Sequence, residues 1–90
     1  MVAERSVKVV NKNGVHARPA AEIVKLASKY ASDITLSRDD LEVNGKSIMG
    51  VMMLAAGLGS TVELETEGAD EADAMAALEK LFADKFGEGE

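Results

Sequence analysis

Along the chain, four short stretches alternate apolar and polar residues and three others repeat at helical spacing. Ser6-Val7-Lys8-Val9-Val10 alternates and is β-branched, which predicts a strand with Val7 and Val9 turned inward. Asn11-Lys12-Asn13-Gly14 is a turn cluster. From about Ala17 to Lys29, Ala20, Ile23, Val24, Ala27 and Tyr30 recur three or four apart, predicting an amphipathic helix. Asp33 to Ser37 alternates, Arg38-Asp39-Asp40 turns, and Leu41 to Val43 alternates back as the second arm of a hairpin. Asn44-Gly45-Lys46 makes another turn, and Ser47 to about Ala55 reads as a short helix. Thr61 to Glu67 is the clearest strand: Val62 and Leu64 face one side, Glu63, Glu65 and Glu67 the other, so that other side is wet. Asp70 then starts and caps a last helix reaching about Lys85. Met75, Leu78, Leu81, Phe82 and Phe86 form its buried stripe, and Gly87 is its stop.

The order β-α-β-β-α-β-α predicts an α+β fold, a mostly antiparallel sheet with helices on one face and water on the other. With 90 residues and 47% apolar content the chain reads as a single domain, 1–90, built on one core, and a disordered acidic tail is excluded. The net charge of −6 is unevenly spread. Residues 1–30 carry six Lys/Arg against Glu4 and Glu22, whereas residues 61–90 carry two against ten acids. Coating a nucleic acid needs net basic charge, so that class is excluded, while a local anion site in the first third is not. The sequence has no cysteine and one histidine. A disulfide framework is therefore excluded, and a zinc site would have to lean on carboxylates, so no metal or cofactor is expected. Charges at Glu4, Arg5 and Lys8 leave no readable secretory leader, and the weakly polar run from Ile48 to Gly59 is too short to span a bilayer. A cytoplasmic chain without membrane insertion is the expectation.

The informative segment is Gly14-Val15-His16-Ala17-Arg18-Pro19-Ala20. His16 immediately precedes the helical pattern, although histidine is a poorer N-cap than Ser, Asp or Asn. Pro19 sits in the first turn, where its missing N–H removes no intrahelical bond. The backbone amides of Ala17 and Arg18 then point outward at the positive end of the helix dipole, an anion site. The Arg18 guanidinium adds a planar donor fork. A neutral imidazole in that setting can accept a phosphoryl group and release it again, and no carboxylate or second base in the segment would activate water. That chemistry suits a carrier better than a hydrolase. Read from the residues alone, a solvated or core histidine is the competing interpretation.

At these residues the chain resembles the HPr phosphocarrier family of the bacterial sugar phosphotransferase system. Gly14 to Ala20 is similar to that family's active-site signature, and Asn44-Gly45-Lys46-Ser47-Ile48-Met49-Gly50-Val51-Met52 to its regulatory serine segment. The likeness runs from about Val7 to Phe82 without a large insertion. It implies an open-faced β-sandwich of four antiparallel strands covered by three helices. It also implies that His16 takes a phosphoryl group on Nδ1 from phospho-enzyme I, charged by phosphoenolpyruvate, and passes it to IIA domains, with Arg18 steadying the group. Ser47 corresponds to the serine modified by an HPr kinase/phosphorylase. Phosphate there would repel an acidic partner. Ile48, Met49, Met52 and Met53 are read as a docking surface shared by several partners, transcriptional or metabolic regulators among them, with Val51 and Leu54 in the core. Ala21 is read as part of the same docking surface and Lys25 as a charged contact at its rim. Ser28 is lysine in some members, so basic steering is expected to be weaker here. A monomeric, stoichiometric carrier that is not itself an enzyme follows.

Other motifs fail. Gly45-Lys46-Ser47 would end a Walker A loop only with glycine where Asp40 stands, and Gly57-Leu58-Gly59 lacks the third glycine of a dinucleotide loop. The row Glu63, Glu65, Glu67 reads as a solvated face before it reads as a calcium site. Two rivals remain: a paralogue in a nitrogen or regulatory phosphotransfer branch that keeps His16 but moves no sugar, and a small ligand-binding or interaction domain with an incidental histidine.

Overall fold

The expected elements form in the expected order in the computed structural model, which describes residues 2–12, 14–54 and 56–87. They are strand β1 (Val2–Lys8), helix α1 (Ala17–Ala27), strands β2 (Asp33–Arg38) and β3 (Leu41–Asn44), helix α2 (Ile48–Met53), strand β4 (Thr61–Glu67) and helix α3 (Glu71–Ala83). A short 3₁₀ turn, Lys85–Gly87, follows. The sheet order is β1-β4-β2-β3 with every neighbouring pair antiparallel.

Alternation along the strands divides the sheet into two faces. Ile34, Leu36, Val43, Val62 and Leu64 point into the core, where Leu36 and Leu64 lie side by side in the register. They meet Ala20, Ile23 and Ala27 of α1, Val51 of α2, and Ala74, Met75, Leu78 and Phe82 of α3. Burying each large aliphatic or aromatic side chain stabilises the fold by about 1.5–3 kcal/mol. On the opposite face Glu63, Glu65 and Glu67 are exposed, and Glu4 stands directly across from Glu65. The antiparallel open-faced architecture is therefore as expected, and its outer face is acidic and wet.

Boundaries differ in instructive ways. The first strand runs from Val2 to Lys8, not from Ser6 to Val10. Val9 is buried just past its end, held by Val9 N–H to the Ser60 carbonyl (2.9 Å), while Val7 is only half-buried. Helix α1 ends at Ala27, two residues before Lys29, because the chain tightens there into i→i−3 bonds, Lys29 N–H to the Leu26 carbonyl (3.1 Å) and Tyr30 N–H to the Ala27 carbonyl (3.2 Å). The Tyr30 carbonyl beyond them accepts from the Lys46 ammonium (2.8 Å). Ser47 is the N-cap of α2 and not part of it, and Ala55 lies outside the described residues, as do Asn13 of the first turn and Glu88 to Glu90. Helix α3 stops at Ala83. Phe86 is buried as expected, but from the 3₁₀ turn, edge-on to Phe82 with ring centroids 4.8 Å apart.

Asp70 stands at the N-cap of α3 but its side chain does not cap that helix. Its carboxylate instead accepts from the amides of Ala31 and Ser32 (both 2.9 Å) and from the Ser32 hydroxyl. Those donors, the Ser32 hydroxyl foremost, hold its pKa below the ordinary value of 3.8. Gly68 allows the approach: its φ is +151°, and a Cβ there would lie 2.8 Å from Ser32 Cα.

Candidate functional site

The segment leading to His16 is fixed before the helix begins. Asn11 is fully buried, and its Nδ2 donates to the Gly14 carbonyl (2.7 Å), while Gly14 N–H donates to the Asn11 carbonyl (3.2 Å). Gly14 has φ +68°, and a Cβ on it would fall 2.5 Å from the Ala56 carbonyl oxygen, so only glycine fits. Val15 N–H donates to that same oxygen (2.7 Å). Two residues of fastened backbone thus precede the histidine.

His16 is the N-cap of α1, in extended conformation (φ −110°, ψ −164°), and its side chain makes no capping bond. The helical ladder opens with Ala20 N–H to the His16 carbonyl (2.9 Å). The amides of Ala17 and Arg18 lie ahead of that ladder, Pro19 has no N–H, and the first turn holds no acidic residue. The positive end of the helix is therefore not filled by a carboxylate of its own first turn. His16, Ala17 and Arg18 are all exposed. Two hollows on the open sheet face, lined by Glu42, Glu63, Glu65 and neighbours, do not include His16.

The other candidate residues lie along α1 and α2, which pack against each other. Arg18, Ala21 and Lys25 are exposed and share one face of α1 by their spacing. On α2, Val51 and the adjoining Leu54 are buried, whereas Ile48, Met49, Met52 and Met53 are exposed, Met49 to 73%. Ser47 caps α2 through its hydroxyl, which accepts from Gly50 N–H (3.2 Å). Sequence reasoning passed over three side chains that set this frame: Asn11 before His16, Arg38, whose Nη1 donates to the Leu54 carbonyl (2.7 Å), and Lys46, which reaches Tyr30. Only Asn11, three residues before a glycine in a turn cluster, left a signal that could have been read. Among the described residues no group of His, Cys, Asp or Glu is arranged to hold a metal ion, and no helix is long and apolar enough to cross a membrane.

A four-stranded antiparallel sheet with three helices on one face, and a histidine at the head of the first helix, define the class of small phosphocarriers. Residues 3–84 match the family described as the PTS HPr component phosphorylation site. The chain belongs to this family, the HPr phosphocarriers of the phosphotransferase system. It is 54% identical to the phosphocarrier protein HPr of Cupriavidus necator over 87 residues, covering 97% of this chain and 98% of that one. The HPr of Treponema pallidum is 57% identical over 84 residues, 93% of this chain and 96% of that one. In three dimensions the crystal structure of HPr-C-His from Thermoanaerobacter tengcongensis superimposes with a TM-score of 0.92 at 48% identity, covering 96% of this chain and 97% of that chain.

Proposed function

We propose that His16 accepts a phosphoryl group from phospho-enzyme I, charged by phosphoenolpyruvate, and delivers it to IIA domains of sugar permeases in the cytoplasm. On loading, the donor's bond to phosphorus breaks as a bond to a ring nitrogen of His16 forms, and the ring proton passes to the donor group. On delivery the His16 N–P bond breaks as the acceptor's bond to phosphorus forms, and the acceptor's proton returns to the ring. The amides of Ala17 and Arg18 and the Arg18 guanidinium receive the phosphoryl oxygens, the guanidinium through charge-assisted bonds worth roughly 1.5–3 kcal/mol each. No carboxylate or second base in the segment is placed to activate water, so the chain acts as a stoichiometric carrier and not as a hydrolase. The observation that carries this reading is the head of α1: an exposed histidine, two amides ahead of the ladder and no acid in the first turn.

Ile48, Met49 and Met52, with Ala21 and Lys25 on α1, form the surface on which enzyme I and the IIA domains dock in turn. Ser47 is the regulatory position, acted on by an HPr kinase/phosphorylase. A phosphate there adds about −1.5 to −2 charge at the edge of that surface and repels an acidic partner. The test is incubation of wild type and His16→Ala with phosphoenolpyruvate and enzyme I. Wild type should gain an acid-labile, base-stable phosphate that the variant lacks; a label retained by His16→Ala would overturn the assignment.

A further inference from the structure

The sequence contains five methionines and no cysteine, so thioethers are its only sulfur groups. Four of the five are described, and they fall into two environments. Met49, Met52 and Met53 are 73%, 45% and 64% exposed, whereas Met75 of α3 is 3% exposed. At 3.6 residues per turn, Ile48, Met49, Met52 and Met53 occupy an arc of about 140°, with buried Val51 and Leu54 on the other side. From Ile48 to Ala56 there is no polar side chain, so no polar residue of that run interrupts the exposed arc.

We propose that this arc is an oxidation site that regulates docking: hydroperoxides convert Met49, Met52 and Met53 to sulfoxides, and the oxidised chain no longer engages its phosphoryl donor well. The inference rests on the reading of α2 as the docking surface and adds a control to it. The chemistry balances with the hydroperoxide as oxidant. A sulfur lone pair attacks the terminal peroxide oxygen, the O–O bond breaks and an S–O bond forms. Sulfur gives up two electrons, and the departing oxygen leaves as water or an alcohol after proton transfer. Each product is a polar, chiral sulfoxide in place of a flexible apolar thioether, reducible by the two epimer-specific methionine sulfoxide reductases. A partner that desolvates this arc would bury a strong acceptor without a donor to meet it, which weakens binding by about tenfold or more. His16 and the head of α1 are chemically untouched, so the effect falls on encounter with enzyme I and not on the phosphoryl step.

The experiment treats the full-length chain with hydrogen peroxide, maps oxygen addition by peptide mass spectrometry, and measures phosphorylation by enzyme I and phosphoenolpyruvate across carrier concentrations. The expected result is oxygen on Met49, Met52 and Met53 but not on Met75, a KM raised about tenfold or more with kcat little changed, and reversal by the reductases. A triple variant, Met49→Leu, Met52→Leu and Met53→Leu, is judged only by its treated-to-untreated ratio, which should be one whatever its starting rate. Equal inhibition of that triple variant would overturn the proposal, as would full oxidation of the three with an unchanged KM. If the untreated chain takes no phosphate on His16, the carrier reading itself fails and this inference with it. If treated and untreated chains accept phosphate alike, the carrier reading stands and the oxidation site does not.

Discussion

Helix α1 begins on His16 and places Ala17, Arg18 and Pro19 in its first turn with no carboxylate among them, whereas α3 begins on Asp70 and follows it with Glu71 and Asp73. Both helix ends carry the same partial positive charge and the same surplus of backbone donors. At α3 the chain supplies its own anions. The Asp70 carboxylate ties the helix start to Ala31 and Ser32, the Glu71 side chain accepts from Gly68 N–H (3.1 Å), and Thr66 donates its hydroxyl to the Glu71 carbonyl (2.9 Å). That end is an architectural joint between β4, α3 and the turn before β2. At α1 the first turn brings no carboxylate, and the backbone ahead of it is fastened by bonds of Asn11, Gly14 and Val15. Under the proposed function, the difference separates a helix end used for folding from one kept for a phosphoryl group.

Removing the arginine fork should have the largest effect on transfer short of losing His16. Arg18→Ala is expected to slow phosphorylation by enzyme I roughly ten- to a hundredfold, with an unchanged urea midpoint because the side chain is exposed. Making α1 resemble α3 should come next. Ala17→Asp puts a carboxylate into the first turn, and initial rates should fall about tenfold while stability holds or rises by about 0.3–1 kcal/mol. A faster rate would contradict the idea that the two anions compete. Ser47→Asp should reduce acceptance only several-fold, since it adds a single charge beside the docking surface. A variant as fast as wild type would remove the charge-block account of Ser47.

Making α3 resemble α1 should leave transfer alone and change stability. The lowered pKa of Asp70 means its stabilising contribution is full above the ordinary value of 3.8 and is lost as pH falls through the lowered one. Asp70→Asn should therefore be less stable than wild type near neutrality, and the gap should narrow on acidification to about pH 3. Urea titrations at the two pH values would check this, and a constant gap would mean the carboxylate's charge is irrelevant.

What could be read from the sequence followed the physics that is local. Period-two alternation at Thr61–Glu67 and period-3.6 spacing in α1 depend on neighbours a few residues away, so strand face, helix face and the placement of His16 were legible. Asp70 was misread because the rule for an N-cap looks forward three residues, whereas its real donors lie in a turn nearly forty positions back. The shortened α1 shows a second limit: apolar spacing carries on to Tyr30, whereas the backbone already leaves the α pattern at Lys29 and Tyr30, whose amides turn back to Leu26 and Ala27. Asn11 shows a third limit: its neighbours signal a turn, but its burial and the tight packing of Gly14 against Ala56 and Gly57, more than forty positions on, cannot be read locally. The exposed side of α2 was readable because its apolar residues outnumber what one sheet face can cover, with Val51 and the adjoining Leu54 taking the buried side.

The most direct test follows the backbone amides of an isotopically labelled chain by NMR while enzyme I and phosphoenolpyruvate phosphorylate it. The account predicts that the Ala17 and Arg18 amide protons move downfield as they bond the phosphoryl oxygens, while those of Glu71 and Ala72 at the head of α3 stay in place. A chain that becomes phosphorylated on His16 with the Ala17 and Arg18 amides unmoved would contradict it.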